Sequence, residues 1–147
     1  MGNGFYLGID VGSVSTNLVV IDDNDNIVHR LYLRTAGQPI AALKKGISSL
    51  ADKMGPDSEI KGVGATGSGR QLASVIAGAD VIKNEITAHA VAAQKAVPGV
   101  RTVLEIGGQD SKIILLKDGI VVDFAMNTVC AAGTGSFLDH QAERMKI

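Results

Sequence analysis

Asp10-Val11-Gly12-Ser13-Val14-Ser15-Thr16-Asn17, followed by the aliphatic run Leu18-Val19-Val20-Ile21, recurs without a gap as Glu105-Ile106-Gly107-Gly108-Gln109-Asp110-Ser111-Lys112, followed by Ile113-Ile114-Leu115-Leu116. In each copy an apolar strand runs into one carboxylate, then a glycine turn bearing small or polar residues, then a second apolar strand. Such a hairpin suits phosphate. A carboxylate at a strand end holds Mg2+ through water, and a turn with no Cβ lets backbone N–H groups approach phosphate oxygens. Two copies predict two facing lobes that clasp one nucleotide. Either copy alone also fits an ordinary hairpin closed by glycine; the ungapped pair favours phosphate.

A chain of 147 residues buries roughly two thirds of its unfolded surface, enough for one compact domain or two small lobes with their own cores. Hydrophobic residues make up 46% of it, yet aromatics are only 3% and Trp is absent, so the core must be aliphatic. That suits Val/Ile-rich strands covered by Ala/Leu helices. The formal net charge is -1 and no Lys/Arg cluster interleaves with aromatics, which argues against a nucleic-acid surface. No apolar run approaches the ~18 residues of a membrane span, and Met1-Gly2-Asn3-Gly4 leads into a strand with no charged, then apolar, leader. A soluble, cytoplasmic protein is expected. Gly2 does not begin a myristoylation signal, because Tyr6 stands where Ser or Thr is required. A single Cys excludes an internal disulfide, in keeping with a reducing compartment.

Phe5–Asp10, Asn17–Ile21 and Ile27–Arg34 read as an antiparallel meander, the last two strands joined by the polar turn Asp22-Asp23-Asn24-Asp25-Asn26. From Gln38 to Met54, the residues Ile40, Leu43, Ile47, Leu50 and Met54 fall at helical spacing, and Gly55-Pro56 ends the helix. A buried strand over Ile60–Thr66, a helix over Gly67–Ala77, a short strand over Asp80–Lys83 and an Ala-rich helix over Asn84–Val97 follow. The order βββαβαβα is that of a ribonuclease H-like lobe, expected to occupy residues 1–98. After Pro98-Gly99 the pattern restarts over residues 99–147, with strands Arg101–Ile106, Ser111–Leu116 and Ile120–Met126 and a helix that begins after Ala131 and is still running at Ile147. A lobe without its later strands and helices cannot close a core. The pattern therefore predicts the N-terminal part of a longer protein, or missing elements supplied from elsewhere.

Several short motifs point elsewhere and carry less. Gly62-Val63-Gly64-Ala65-Thr66-Gly67 matches a dinucleotide fingerprint, with Glu85 near the spacing of a ribose-binding acid, but it falls on a fourth strand after a meander rather than in an initial βαβ unit. Asp22, Asn24 and Asn26 echo a calcium loop, yet Ile27 replaces its Gly and Leu33 its bidentate Glu. Glu85 and His89 share a helix face, but His29 and His140 have no ligand spacing to them, so His89 is read as a packing or supporting residue. Neither a Gly-x-Ser-x-Gly elbow nor a Walker lysine motif is present.

Cys130-Ala131-Ala132-Gly133-Thr134-Gly135-Ser136-Phe137-Leu138-Asp139 is the remaining feature. A thiol just before a helix meets unpaired N–H groups and the positive end of the dipole, which favours the thiolate as nucleophile or metal ligand. A lone Cys is also often a small buried hydrophobe. Gly133-Thr134-Gly135 suits a phosphate contact at the same helix start.

Taken together, Gly8-Ile9-Asp10-Val11-Gly12-Ser13, Ala65-Thr66-Gly67-Ser68-Gly69-Arg70, Glu85-Ile86-Thr87-Ala88-His89-Ala90, Ile106-Gly107-Gly108-Gln109-Asp110 and Met126-Asn127 through Cys130 to Gly135 resemble the activator ATPases of 2-hydroxyacyl-CoA dehydratases and the related ATPase subunits of benzoyl-CoA reductase. That family belongs with the sugar and acetate kinases, heat-shock chaperone ATPases and actin. The resemblance implies an α/β, actin-like ATPase fold, with a ribonuclease H-like lobe followed by the start of a second, similar lobe. It also implies a homodimer bridged by a 4Fe-4S cluster, in which ATP hydrolysis drives a low-potential electron from a donor such as ferredoxin or flavodoxin to a dehydratase or reductase component. By the same resemblance Cys130 is a cluster ligand and Asp10 organises Mg2+ and water, with Glu105 and Asp110 as further catalytic acids. ATP or ADP phosphates fall to Gly12, Ser13, Val14, Ser15, Gly107, Gly108 and Gln109, with Gly133, Thr134 and Gly135 at the helix start.

The sequence departs from the family at Asn17, where Lys is frequent, at Val14, where Thr or Ser is frequent, and at Glu105, where Asp is also usual. The family takes two cysteines from each subunit, and this stretch holds one. As presented, two copies offer two thiolates to a cluster that wants four, so this stretch alone is not expected to be active. Two rival functions remain: a small-molecule kinase of the N-acetylhexosamine type, which needs a sugar-facing acid in the cleft and gives Cys130 no task, and a nucleotide-gated binding module without redox chemistry.

Overall fold

The computed structural model describes residues 4–127 and 134–147. The elements run β1 (Gly4–Val11), β2 (Ser15–Asp22), β3 (Ile27–Arg34), α1 (Pro39–Met54), β4 (Glu59–Thr66), α2 (Arg70–Ala77), β5 (Val81–Ile82), α3 (Glu85–Ala96), β6 (Thr102–Ile106), β7 (Ser111–Lys117), β8 (Ile120–Met126) and α4 (Gly135–Met145). The order expected from sequence is present, and two compact units, Met1–Glu85 and Ile86–Ile147, divide it. Each is described by itself.

In the first unit the strands lie in the order β3-β2-β1-β4-β5, with β1 antiparallel to β2, β2 antiparallel to β3, and β4 parallel to β1 and β5. Strand alternation then sorts β1 into two faces. Leu7, Ile9 and Val11 point to the core, where Leu7 and Ile9 sit in register with Val20 and Leu18, and Leu43 and Leu50 of α1 and Ala73 of α2 close over them. Pro39 opens α1, where its missing N–H costs nothing, and the N–H of Gly55 closes it on the Ala51 carbonyl. Helix α1 approaches β2 closely at Gly46, where a Cβ would stand 2.7 Å from the Leu18 side chain. Ile40, expected on the apolar face, is exposed instead.

Asp10, Gly8 and Tyr6 take the opposite face. Within this unit α1 and α2 cover one side of the sheet, which corrects the expectation of a buried fourth strand: Ala65 is the buried residue of β4, and Glu59, Ile60 and Lys61 are exposed. The six residues Gly62 to Gly67 do not form a dinucleotide turn either, because all but Gly67 lie in extended β4. Helix α2 begins later than expected, at Arg70, since Gly67, Ser68 and Gly69 are spent on a loop under Asp10 and Val11. The Asp22 turn uses its own carboxylate, with Oδ1 accepting from the N–H groups of Asn24 at 2.9 Å and Asn26 at 2.8 Å.

In the second unit β6-β7-β8 form an antiparallel meander in which Ile114 and Leu116 of β7 are buried. Helix α4 was expected to be still running at the last residue. It closes instead at Met145, with Lys146 in a left-handed conformation (φ 57°) whose N–H caps the carbonyls of Ala142 and Glu143.

Candidate functional site

The two hairpins share one geometry. In the first, Asp10 faces Asn17 across the ladder and the Gly12 N–H closes the turn on the Ser15 carbonyl at 2.8 Å. In the second, Glu105 faces Lys112 and the Gly107 N–H closes the turn on the Asp110 carbonyl, also at 2.8 Å. The repeat read from sequence is thus a repeat of register and turn.

Around the first turn, Asn17 Nδ2 donates to Asp10 Oδ2 at 3.4 Å and to Ser15 Oγ at 3.2 Å. Thr35, just past β3, donates from its backbone N–H to the Val14 carbonyl at 2.8 Å and from Oγ1 to the Gly12 carbonyl at 2.9 Å. Its hydroxyl also meets buried Thr16 Oγ1 at 3.0 Å. The loop after β4 arrives from the other side: the Gly69 N–H donates to the Val11 carbonyl at 2.8 Å. Gly67 has φ 91°, and a Cβ on it would stand 2.5 Å from Asp10 Oδ1, so glycine is demanded twice over.

Around the second turn, Lys112 Nζ donates to Glu105 Oε2 at 3.0 Å and to Asp110 Oδ2 at 2.9 Å. The loop carbonyls are taken by the start of α4. Gly107 O accepts from the Gly135 N–H at 2.8 Å, and Gly108 O accepts from the Ser136 N–H at 3.2 Å, from Thr134 Oγ1 at 3.1 Å and from Ser136 Oγ. A Cβ on Gly135 would stand 3.0 Å from Gly107 O, so this approach also needs glycine. Asn127 pins the far end of the turn, its Oδ1 accepting from the Ser111 N–H at 2.9 Å.

The expected residues therefore gather into two constellations. Asp10, Gly12, Val14 and Ser15 meet at the first turn, and Glu105, Gly107, Gly108, Asp110, Thr134 and Gly135 at the second. Cys130 and Gly133 lie outside the described residues. Thr35, Lys112 and Ser136 are the site residues that sequence reading missed. For Lys112 the signal was present, since it occupies in the second copy the place where the family often carries Lys in the first. For Thr35 and Ser136, remote in sequence from the loops they hold, no local signal exists.

A ribonuclease H-like sheet ending in a carboxylate hairpin, followed by a second meander with the same hairpin, defines an actin-like ATPase fold. The chain belongs to the BadF/BadG/BcrA/BcrD ATPase family, whose model matches residues 7–147. It is 36% identical over 144 residues to the (R)-2-hydroxyglutaryl-CoA dehydratase activating ATPase of Acidaminococcus fermentans, covering 97% of this chain and 54% of that protein. To the activator of lactoyl-CoA dehydratase of Anaerotignum propionicum it is 39% identical over 142 residues, covering 94% and 52%. The solved activator of 2-hydroxyisocaproyl-CoA dehydratase from Clostridium difficile with bound ADPNP superposes with a TM-score of 0.77 at 34% identity, over 97% of this chain and 53% of that one. Ethanolamine utilization protein EutJ from Carboxydothermus hydrogenoformans, at 20% identity and a TM-score of 0.67, shares the fold. The chain spans about half the length of the curated relatives it matches. The resemblance read from five motifs and the fold it implied both hold.

Proposed function

We propose that this chain is the N-terminal part of an ATP-hydrolysing activator that works with a 2-hydroxyacyl-CoA dehydratase or a similar reductase. The observation that carries this is the duplicated hairpin, two turns closed by the same 2.8 Å bond, each beside a carboxylate at a strand end. Residues 1–98 carry the first hairpin and 99–147 the second, and each turn binds phosphate. Mg2+ fits the first turn. Among the described residues no three His, Cys, Asp or Glu side chains gather as a dedicated metal cage, and Mg2+ commonly takes one or two carboxylates, substrate phosphate and several waters. When bound, it neutralises charge that builds on the phosphates. Asp10 would hold it through water and would orient the attacking water, while Gly12, Ser13, Val14 and Ser15 supply the turn. Glu105 and Asp110 act as the second pair of acids, beside Gly107, Gly108 and Gln109. Gly133, Thr134 and Gly135 complete the second half, where Thr134 and Gly135 also hold loop carbonyls.

A 4Fe-4S cluster bridging a homodimer is the finer part of the proposal, with Cys130 as one ligand and a donor such as ferredoxin or flavodoxin supplying the electron. The residues of this stretch do not by themselves fit such a cluster, because its single Cys gives two thiolates per dimer against four. The other thiolates must come from the rest of the protein, and no electron-transfer step is derived from the residues described.

Anaerobic purification of the full-length protein tests the reading. A brown dimer containing iron and sulfide, with Mg2+-dependent ATP hydrolysis, is expected; a colourless protein that phosphorylates a sugar refutes it. Cys130→Ser should bleach the visible absorption and leave nucleotide binding in place. A fully retained cluster would return Cys130 to packing.

A further inference from the structure

The two hairpins carry different side chains at matching positions. In the first, neutral Asn17 donates to Asp10 and to Ser15; in the second, Glu105 and Asp110 flank cationic Lys112. The Lys112 side chain is only 4% exposed, against 18% for Glu105 and 40% for Asp110. A buried ammonium must be paired, and here two of its three N–H donors are committed to carboxylates. The carboxylate oxygens that these two bonds do not use converge. Asp110 Oδ1 and Glu105 Oε1 stand 2.8 Å and 3.2 Å from the position a Cβ would occupy on Gly107, the first residue of the turn.

We propose that Lys112 is a positioning residue of the second hairpin: its buried ammonium fixes where the Glu105 and Asp110 carboxylates lie beside Gly107. This deepens the ATPase reading above and rests on it for its functional consequence. The structural half stands on the ion pairs alone. Without Lys112, two carboxylates face each other uncompensated, and a divalent cation is the natural substitute.

The experiment compares full-length wild type, Lys112→Met, Lys112→Arg and the pair Asp110→Ser with Lys112→Asn, which transplants the partners of the first hairpin into the second. Thermal melting is followed with and without millimolar magnesium chloride, and a non-hydrolysable ATP analogue with magnesium is titrated by calorimetry. Lys112→Met should melt on the order of 5 °C or more below wild type. Magnesium should raise its melting temperature by more than it raises that of wild type. An equal magnesium response in the two proteins overturns the proposal. The paired variant should melt above Lys112→Asn alone, because it removes a carboxylate together with its counter-ion; a melt at or below that single variant also overturns it. Should Lys112→Met not fold, Lys112→Arg decides: with the charge kept and the oxygens moved, it should stay folded and lose roughly 10-fold or more in kcat, with a smaller change in KM. Unchanged kcat overturns the positioning role. A wild type that binds no nucleotide refutes the ATPase reading instead, while the melting series still judges Lys112.

Discussion

At the first turn, the carbonyls of Gly12 and Val14 both accept from Thr35, a residue at the end of the neighbouring β-meander; at the second, the carbonyls of Gly107 and Gly108 accept from the opening turn of α4. The two turns have the same closing bond and the same register, and besides their side chains what differs is who holds them. The first is fixed from within its own sheet. The second is fixed by the start of a helix. Hairpins of one register thus need not have the same mechanical neighbours, and duplication of a motif says little about duplication of its support.

The comparison breaks first at Asp10. In the full-length protein Asp10→Asn should lower Mg2+-dependent ATP hydrolysis by roughly 100-fold or more while the fold persists; wild-type turnover would remove the first hairpin from the chemistry. Asp110→Asn is expected to fall short of that loss, since Asp110 shares its triad with Glu105 and Lys112. Next is Gly67→Ala, which forces a side chain onto φ 91° and against the Asp10 carboxylate. It should reduce turnover about 10-fold or more and destabilise by about 1–3 kcal/mol, and a neutral outcome in chemical denaturation and turnover would show that Asp10 is not held where described. Thr35→Val removes the hydroxyl from two partners but keeps the backbone bond to Val14. A loss of about 1–2 kcal/mol in denaturant unfolding, with weaker binding of the nucleotide analogue, should follow; unchanged binding would mean that the turn needs no clamp. The smallest effect belongs to Ser136→Ala, because Gly108 O keeps the Ser136 N–H and Thr134 Oγ1. About 0.5–1 kcal/mol is expected in the same assay, and a loss as large as that of Thr35→Val would make the two supports equivalent.

Much of this was legible because it is local. Ile27–Arg34 and Ile120–Met126 were bounded to the residue by alternating apolar positions and polar turns, and the hairpins by their carboxylate, glycine and aliphatic run. What escaped depends on partners distant in the chain. The β2–β3 register delivers Thr35 to Val14, and nothing near Thr35 marks it as a loop clamp. The exposure of β4 escaped for a related reason: an apolar run shows that burial is available, not that a neighbour within the unit provides it on both faces. Helix α2 was begun too early because glycines that shape a loop beside Asp10 read the same as those that precede a helix.

The grip of α4 on the second turn has a stereochemical corollary. Each peptide unit is planar, and among the described residues no bond is cis, so a carbonyl and the N–H of the next residue point in opposite directions. With the oxygens of Gly107 and Gly108 directed at α4, the N–H groups of Gly108 and Gln109 are turned away from it, and by the same rule those of Ser13 and Ser15 are turned away from Thr35. Each support sets the tilt of two amide planes.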